Sequence, residues 1–423
     1  MKKIVLWSAV SVLIIGIAVG AFLWLSRPQT ITLGDGTKLT LLGVDYGKHH
    51  KFPAMKTTGR RSGGPTSFDT TNNTLVAWIL NEHKADQWPN YQVLAYDQAA
   101  TACVGNWARN SRQIKNGMEI AGIQLDAFPR RQRKIYLRVM SWGQHGQQAA
   151  KGQFVISNPA GRSFPNWFPD TVPNTQSDGD LNVTLTRLVS GVPGFNGNGN
   201  QTKNDPMNKA VLAVFHTEQK GVVATNWQPV RIETSDATGN DVLNNSWSNS
   251  RDDNGDATMT YQWGLWPDEP AWKLRVEMSR TSGFNDDELW TVQNVPVNPG
   301  RQQDLWNYGG RNSRTNAAIA ETTLNGTHLK VFPALQLTDQ NVGNGQTSGG
   351  LRILADPDLP EGFRLAVAAT DERGHKLQSW GPNGGGGNYV IQFQDIRNAK
   401  SLNLTIALHK SRFVEFTAKP AKQ

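Results

Sequence analysis

Cysteine is almost missing from this sequence, because its 423 residues include only Cys103. An intrachain disulfide is therefore excluded. Cys103 lies between an alanine and a valine, and we interpret it as a small core residue rather than a reactive thiol. No cysteine directly follows the N-terminal apolar segment, so the sequence does not support a lipid-modified cysteine anchor.

Charged and hydrophobic residues are also scarce, at 18% and 38% of the chain, below the averages of globular proteins. Glycine, asparagine, glutamine, serine and threonine take their place. This composition favours turns and solvated strand faces over long helices. Enough valine, isoleucine, leucine and tryptophan remain to form cores, which excludes global disorder. The length predicts roughly two to four domains.

Short catalytic motifs are lacking as well. The sequence contains no Gly-x-Ser-x-Gly, His-Glu-x-x-His or phosphate-binding loop. Its eight histidines are scattered, and the adjacent pair His49 and His50 has no partner at ligand spacing. We therefore predict no catalytic residues and no cofactor. An extracytoplasmic hydrolase stays an alternative, because the paired carboxylates of glycosidases leave no short motif.

The formal net charge is +8, and Lys2 and Lys3 at the N-terminus contribute two of these positive charges. The rest of the chain is only mildly basic. Such a charge suits a protein near anionic envelope polymers or lipid headgroups. Since no long lysine and arginine tract accompanies it, we predict no nucleic-acid partner.

The segment Ile4–Leu25 contains no charged residue. As a helix it would be about 33 Å long, enough to cross the hydrocarbon core of a membrane. Lys2 and Lys3 precede it and would keep the N-terminus in the cytoplasm. We predict that residues 1–30 form a transmembrane anchor, with the lipid bilayer as the partner of Ile4–Leu25 and the C-terminal body outside the cytoplasm.

A cleaved secretory signal is the alternative to this anchor. Ala18-Val19-Gly20 offers small residues at a spacing suited to cleavage. Cleavage there would leave the apolar segment Ala21–Leu25 as the new N-terminus. Both interpretations export the rest of the chain, as an anchored or as a secreted protein.

Three tandem repeats follow the N-terminal segment. A strand-like segment ends at Asp97, at Asp236 and at Asp371, with nearly even spacing. Alternating apolar segments surround each of these in the same order, and each repeat is predicted to close with a strand that runs into proline. The closing strands are Phe154–Pro159, Trp290–Pro296 and Phe413–Pro420.

Short alternating strands separated by turn signals predict β-sandwiches. The order of the segments resembles immunoglobulin-like and fibronectin-like sandwiches at the level of architecture, without a Cys-Trp-Cys signature. We predict an all-β fold of three such tandem sandwiches behind one transmembrane helix. The predicted sandwiches span residues 31–172, 178–300 and 318–423.

The recurring aspartates suggest a metal site or a repeated turn. Asp236 is followed by Gly239 and Asp371 by Gly374, which is the spacing of a type I turn whose carboxylate accepts local backbone N–H groups. We therefore interpret these aspartates as turn residues.

The best calcium candidates are Asp252, Asp253 and Asp256, which surround a glycine turn. Carboxylate oxygens are the ligands that calcium prefers. The spacing does not match an EF-hand loop, because its first and twelfth positions would be Ser250 and Tyr261. A solvated turn is the alternative interpretation.

Tryptophan is over-used, and its densest cluster contains Trp263, Trp266 and Trp272. Exposed indoles stack on sugar rings or on protein partners, so these three residues are the candidate ligand-binding surface. Packing in a core is the alternative. The basic run Arg130–Lys134 is interpreted as a solvated turn that guards a strand edge.

These observations together favour a membrane-anchored extracytoplasmic protein with a structural, adhesive or protein-binding role at the cell envelope. The expected partners are an envelope polysaccharide or another membrane protein. A carbohydrate-binding protein that uses its tryptophan-rich loops is the first alternative, and the hydrolase is the second.

Overall fold

The computed structural model describes residues 29–53, 67–83, 91–98, 103–106, 109–115, 117–143, 146–161, 163–193, 209–245, 248–252, 254–262, 264–301, 317–337, 348–394, 396 and 399–423. Within these ranges, no helix has the length and apolar character needed to span a membrane. The predicted anchor Ile4–Leu25 lies outside the described residues.

Strands make up most of the described chain. The first nine are β1 Thr30–Thr32, β2 Lys38–Lys51, β3 Ser67–Glu82, β4 Tyr91–Tyr96, β5 Cys103–Asn106, β6 Arg109–Lys115, β7 Met118–Leu125, β8 Lys134–Gly143 and β9 Gly146–Ser157. The next nine are β10 Asn174–Asp178, β11 Leu181–Pro193, β12 Lys209–Gln219, β13 Val222–Val223, β14 Trp227–Asp236, β15 Asp241–Asn245, β16 Ser248–Arg251, β17 Ala257–Gln262 and β18 Trp272–Arg280.

The remaining strands complete the C-terminal part. They are β19 Leu289–Gly300, β20 Ala320–Leu324, β21 Thr327–Val331, β22 Ala334–Leu337, β23 Ser348–Asp356, β24 Phe363–Asp371, β25 Lys376–Leu377, β26 Ser379–Gly385, β27 Asn388–Gln394, β28 Ser401–Lys410, β29 Arg412–Ala418 and β30 Ala421–Lys422. A 3-10 turn, Asp286–Glu288, is the one helical element in the described ranges.

Burial along the strands follows the two-residue period of a β-sheet. β17 and β21 alternate between buried and half-buried residues. Such alternation places one strand face against a core and the other towards water. The prediction of an all-β fold is confirmed.

Two strand orders each occur three times. The five-stranded order is β1-β2-β3-β7-β6, then β10-β11-β12-β17-β16, then β20-β21-β23-β27-β26. The four-stranded order is β5-β4-β8-β9, then β15-β14-β18-β29, then β25-β24-β28-β19. We call each combination of the two orders a set, numbered from the N-terminus. Both orders of the third set belong to one ten-stranded sheet, because β22 pairs with β23 and with β19.

The second and third sets exchange their closing strands. In the first set, β9 pairs with the strand that precedes it, β8. In the second set, β18 pairs instead with β29 from the end of the chain, and Val276 lies opposite Val414. The strand that follows β18 in sequence, β19, pairs with β28 of the third set, where Leu289 lies opposite Ala407.

The predicted closing strands were therefore assigned to the wrong repeats. Trp290–Pro296 lies in β19 and completes the third set, whereas Phe413–Pro420 contains most of β29 and completes the second. The predicted boundaries 178–300 and 318–423 do not separate these two sets.

The length of one connection explains the exchange. β28 ends at Lys410 and β29 begins at Arg412, so that Ser411 alone lies between them. Hairpins commonly need at least two loop residues. β29 therefore does not turn back onto β28 but runs on into the second set.

The hydrophobic cores follow the exchanged pairing. Val414 and Phe416 of β29 belong to the large cluster that fills the first and second sets. Val292 and Val295 of β19 belong to the separate cluster of the third set. Burial of a valine or phenylalanine side chain contributes roughly 1.5–3 kcal/mol, so each exchanged strand stabilises the set that receives it. Residues from both strand orders share each cluster, consistent with β-sandwiches.

Asn240 joins the first and second sets. Its Nδ2 donates to the carbonyl oxygen of Phe128 at 3.0 Å, and its Oδ1 accepts from the backbone N–H of Phe128 at 3.1 Å. Both residues are fully buried. Because the two sets also share one hydrophobic cluster, they are packed together rather than joined by an open linker.

Two arginines of the basic run reinforce this junction. Arg130 is 6% exposed and donates from Nη1 to the carbonyl oxygen of Thr238 at 2.9 Å. Burial lowers its pKa, and the ring of Phe128 lies 5.0 Å from its guanidinium carbon. Arg131 donates to Glu269 at 2.8 Å. The interpretation of Arg130–Lys134 as a solvated turn is therefore wrong for its first two residues.

Candidate functional site

Two of the three tryptophans predicted to bind a ligand are buried. Trp266 is 2% exposed and Trp272 is fully buried, and both belong to the large core cluster. The indole Nε1 of Trp272 donates to the carbonyl oxygen of Trp266 at 3.2 Å. Neither ring offers a face for stacking on a sugar. Trp263, the third predicted residue, lies outside the described residues.

Two of the three predicted calcium ligands, Asp252 and Asp256, lie in the hairpin turn between β16 and β17. Oδ1 of Asp252 accepts from the backbone N–H groups of Asn254 and Asp256, at 3.0 and 2.9 Å. Asp256 accepts from Nδ1 of His216 at 2.7 Å. No group of three or more metal-ligating side chains occurs in the described part of the chain, and Asp253 lies outside it.

The recurring aspartates form the same kind of turn. Oδ1 of Asp236 accepts from the backbone N–H groups of Thr238 and Asn240, and Oδ1 of Asp371 accepts from those of Arg373 and His375. The fourth residue is a glycine with φ near +85° in both turns, a conformation that other residues adopt at a cost. The interpretation of Asp236 and Asp371 as turn residues is confirmed.

A buried serine–histidine pair lies where the second and third sets meet. Nε2 of His409 is 3.2 Å from Oγ of Ser279, and Nδ1 faces the carbonyl oxygen of Lys410 at 3.4 Å. Burial lowers the pKa of His409. A hydrolytic triad needs a carboxylate on the second ring nitrogen and an accessible hydroxyl. In this pair a backbone carbonyl oxygen, not a carboxylate, faces the second ring nitrogen of the histidine. The hydroxyl is not accessible either, because Ser279 is only 7% exposed.

A cavity of about 640 Å³ opens beside this pair, at the point where the exchanged strands cross. We call it the crossing cavity. It is bounded by the β10–β11 turn, the ends of β12 and β18, the 3-10 turn and the connection from β28 to β29. Its walls therefore come from segments that lie far apart in the sequence.

Trp227 and two arginines form one wall of the crossing cavity. The guanidinium carbons of Arg280 and Arg412 lie 5.6 and 5.3 Å from the centre of the Trp227 ring. Nε1 of Trp227 donates to Gln219 at 3.2 Å. The ring is 2% exposed, so the cavity presents the polar edges of this stack rather than an aromatic face.

Carboxylates hold both guanidinium groups in place. Arg280 donates to Glu288 and, at 2.9 Å, to the carbonyl oxygen of Gly283. Arg412 donates from Nη1 to Asp180 and, at 2.8 Å, to the carbonyl oxygen of Asp178. The hydrogen bond from Arg412 lowers the pKa of Asp180. The cavity is thus built from fixed charges before any ligand arrives.

Sequence reasoning did not find the crossing cavity. Its residues come from positions between Asp178 and Arg412 and form no motif. The exchange is reflected in the single residue between β28 and β29, but the length of this connection is visible only once the structure gives the strand ends. No protein-family model matches the chain, and no curated protein matches it.

Proposed function

We propose that this chain is a structural and docking protein of the cell envelope. The segment Ile4–Leu25 would hold it in the membrane, and the body of β-sheets would act as a rigid extracytoplasmic arm for a protein or polymer partner. The observation that carries the proposal is the exchange of β19 and β29 between the second and third sets.

The exchange supports rigidity because the chain crosses between the two sets more than once. β19 enters the third set and β29 returns to the second, and both are hydrogen-bonded along their length. Ser411 alone connects β28 to β29. A hinge at this junction would have to break strand pairing. Domains joined by a free linker, in contrast, move independently by default.

The junction of the first and second sets supports the same conclusion. The two sets share one hydrophobic cluster, and the bonds of Asn240 and Arg130 cross between them. A rigid arm holds a binding surface at a fixed distance from the membrane, whereas a flexible tether does not.

Distances between spin labels test this proposal on the full-length chain. In a Cys103→Ala background, nitroxides would be attached at Lys38→Cys, Leu243→Cys and Lys376→Cys, one exposed position in each set. We expect narrow distance distributions for the pair 38–243 and for the pair 243–376.

A pair within the first set, Lys38→Cys with Lys134→Cys, provides the reference width. Distributions between sets that are as narrow as this reference support the arm. Broad or multiple distributions between sets would refute it and leave a flexible tether.

Fractionation of cells that express the full chain tests its location. We expect the protein in the membrane fraction and its body accessible to protease added from outside. Deletion of residues 1–28 should release it from the membrane. A body that is protected from external protease would contradict an extracytoplasmic arm.

A further inference from the structure

The crossing cavity has the size and chemistry of a ligand site. Its volume of about 640 Å³ lies within the range of small-molecule pockets, about 300–1,000 Å³. Polar side chains line most of it, including Asn226, Asn285 and Lys410. Since its lining residues come from several strands and turns around the strand exchange, the fold itself fixes its shape.

Several polar groups in the cavity have no hydrogen-bond partner among the described residues. Nη1 of Arg412 donates both hydrogen bonds of this side chain, so Nε and Nη2 have no partner in the same part of the chain. The amino group of Lys410 and the carboxylate of Asp178 have no ion-pair partner in the same part of the chain. The cavity thus offers hydrogen-bond donors from Lys410 and Arg412, next to Ser411, and an acceptor from Asp178.

The charges that line the cavity, together with Asp180 behind Arg412, are close to balanced. Glu288 pairs with Arg280, and Asp180 pairs with Arg412. The two charges that remain are the positive charge of Lys410 and the negative charge of Asp178. A strongly anionic ligand such as a phosphate would gain from Lys410 but would be repelled by Asp178.

Mixed donors and acceptors suit hydroxyl groups, because each hydroxyl both donates and accepts hydrogen bonds. A nucleoside would need an aromatic face for its base, and the ring of Trp227 is covered. A hydrophobic ligand would need apolar walls.

We propose that the crossing cavity binds a short neutral saccharide, with Asp178 accepting from sugar hydroxyls and with Lys410 and Arg412 donating to sugar oxygens. This site lies apart from the tryptophan cluster that the sequence suggested. It goes beyond the role of a rigid arm and does not rest on it.

Saturation-transfer NMR and calorimetry on the full-length chain test the site. The probes would be neutral cello-, manno- and chito-tetraose, with trigalacturonate and inorganic phosphate as charged comparators. We expect binding of at least one neutral tetrasaccharide, with at least a tenfold preference over both charged probes.

Two variants locate the binding. Asp178→Asn and Lys410→Ala should each weaken the affinity for the tetrasaccharide about fivefold to tenfold, the effect of about one ordinary hydrogen bond. Both residues lie at strand ends with partly exposed or exposed side chains, so the fold should persist. Lys376→Ala, at an exposed lysine in the third set, is the matched control and should leave the affinity unchanged.

Three outcomes would overturn the proposal. The first is no binding of any neutral tetrasaccharide at millimolar concentration. The second is tighter binding of phosphate or trigalacturonate than of every neutral probe. The third is an affinity that Asp178→Asn and Lys410→Ala leave as unchanged as Lys376→Ala does.

Discussion

Arg364 of the third set forms a two-pronged ion pair with Glu277 of the second. Its Nε lies 2.7 Å from Oε1 and its Nη2 lies 2.6 Å from Oε2. Burial alone would raise the pKa of Glu277, but the hydrogen bonds and charge of Arg364, together with Ser411 and the charge of Arg231, outweigh burial and lower it. The carboxylate of Glu277 is therefore charged at neutral pH and holds the two sets together.

Replacement of Glu277 by glutamine should destabilise the protein. The change keeps the size of the side chain but leaves Arg364 half-buried without its counter-ion. We expect a loss of about 3 kcal/mol in the free energy of unfolding, the lower end of the range for a broken buried pair, because Arg364 keeps some contact with solvent. Chemical denaturation measures it.

Glu361→Gln is the matched control for this change. Glu361 pairs with Arg275, but its side chain is 65% exposed. Pairs of this kind contribute about 0–1 kcal/mol, so the control should be nearly neutral. Equal losses for the two variants would contradict the buried bridge.

Deletion of residues 412–423 should open the second set rather than the third. The deletion removes β29, the partner of β18, whereas β28 keeps its partners β19 and β24. Hydrogen–deuterium exchange should therefore show a loss of protection in Trp272–Arg280 and retained protection in Ser401–Lys410.

Deletion of residues 419–423 is the control, since it removes only β30 and leaves β29 in place. Phe416→Ala supplies a milder test of the same strand and should cost about 3–5 kcal/mol. Loss of protection in β28 with an intact β18 would show that the closing strands are not exchanged.

The stability of the junction should fall in mild acid because of His409. Burial lowers its pKa below the ordinary value of 6.5, with the positive charges of Arg280 and Arg364 acting in the same direction and Glu288 opposing them. The unfolded chain therefore binds a proton at a higher pH than the folded chain does. Stability from this residue is fully present above about pH 6.5 and is lost as the pH falls below it.

Denaturation midpoints between pH 7.5 and pH 5 measure this dependence. His409→Gln should flatten the curve, because glutamine does not titrate. His375→Gln is the control, at a histidine whose side chain is 71% exposed. Equal slopes for the wild type and the His409 variant would exclude His409 as the source of the pH dependence.

Asn240→Ala should weaken the junction between the first and second sets. It leaves the buried backbone N–H and carbonyl groups of Phe128 without their partner. Each unsatisfied buried group costs about 1–3 kcal/mol. The control is His375→Ala, at the equivalent position of the exposed turn that Asp371 begins. We expect a clear loss of stability for the first variant and little for the second, by thermal unfolding.

The fold class and the turns followed from the sequence because both are local. A two-residue alternation fixes which strand faces are buried, as in β17. An aspartate followed three residues later by a glycine fixes a turn, as at Asp236 and Asp371. Neither pattern depends on distant parts of the chain.

The strand exchange and the cavity did not follow, because both depend on pairing across long distances in the chain. The apolar residues of β19 and β29 could be buried beside β18 or beside β28, so their pattern does not choose the partner. Aromatic content likewise does not tell which side of a strand faces water. The sequence therefore predicts Trp266 and Trp272 as candidate surface residues, although both lie in the core.

The pairing of Val276 with Val414 also sets an order of events during synthesis. The first set contains all of its own strands and is complete once β9 has emerged. The edge of β18 stays open until β29 has been made, and an open edge is a template for wrong pairing. The second and third sets thus have to be completed together, and β29 closes a sheet that began long before it.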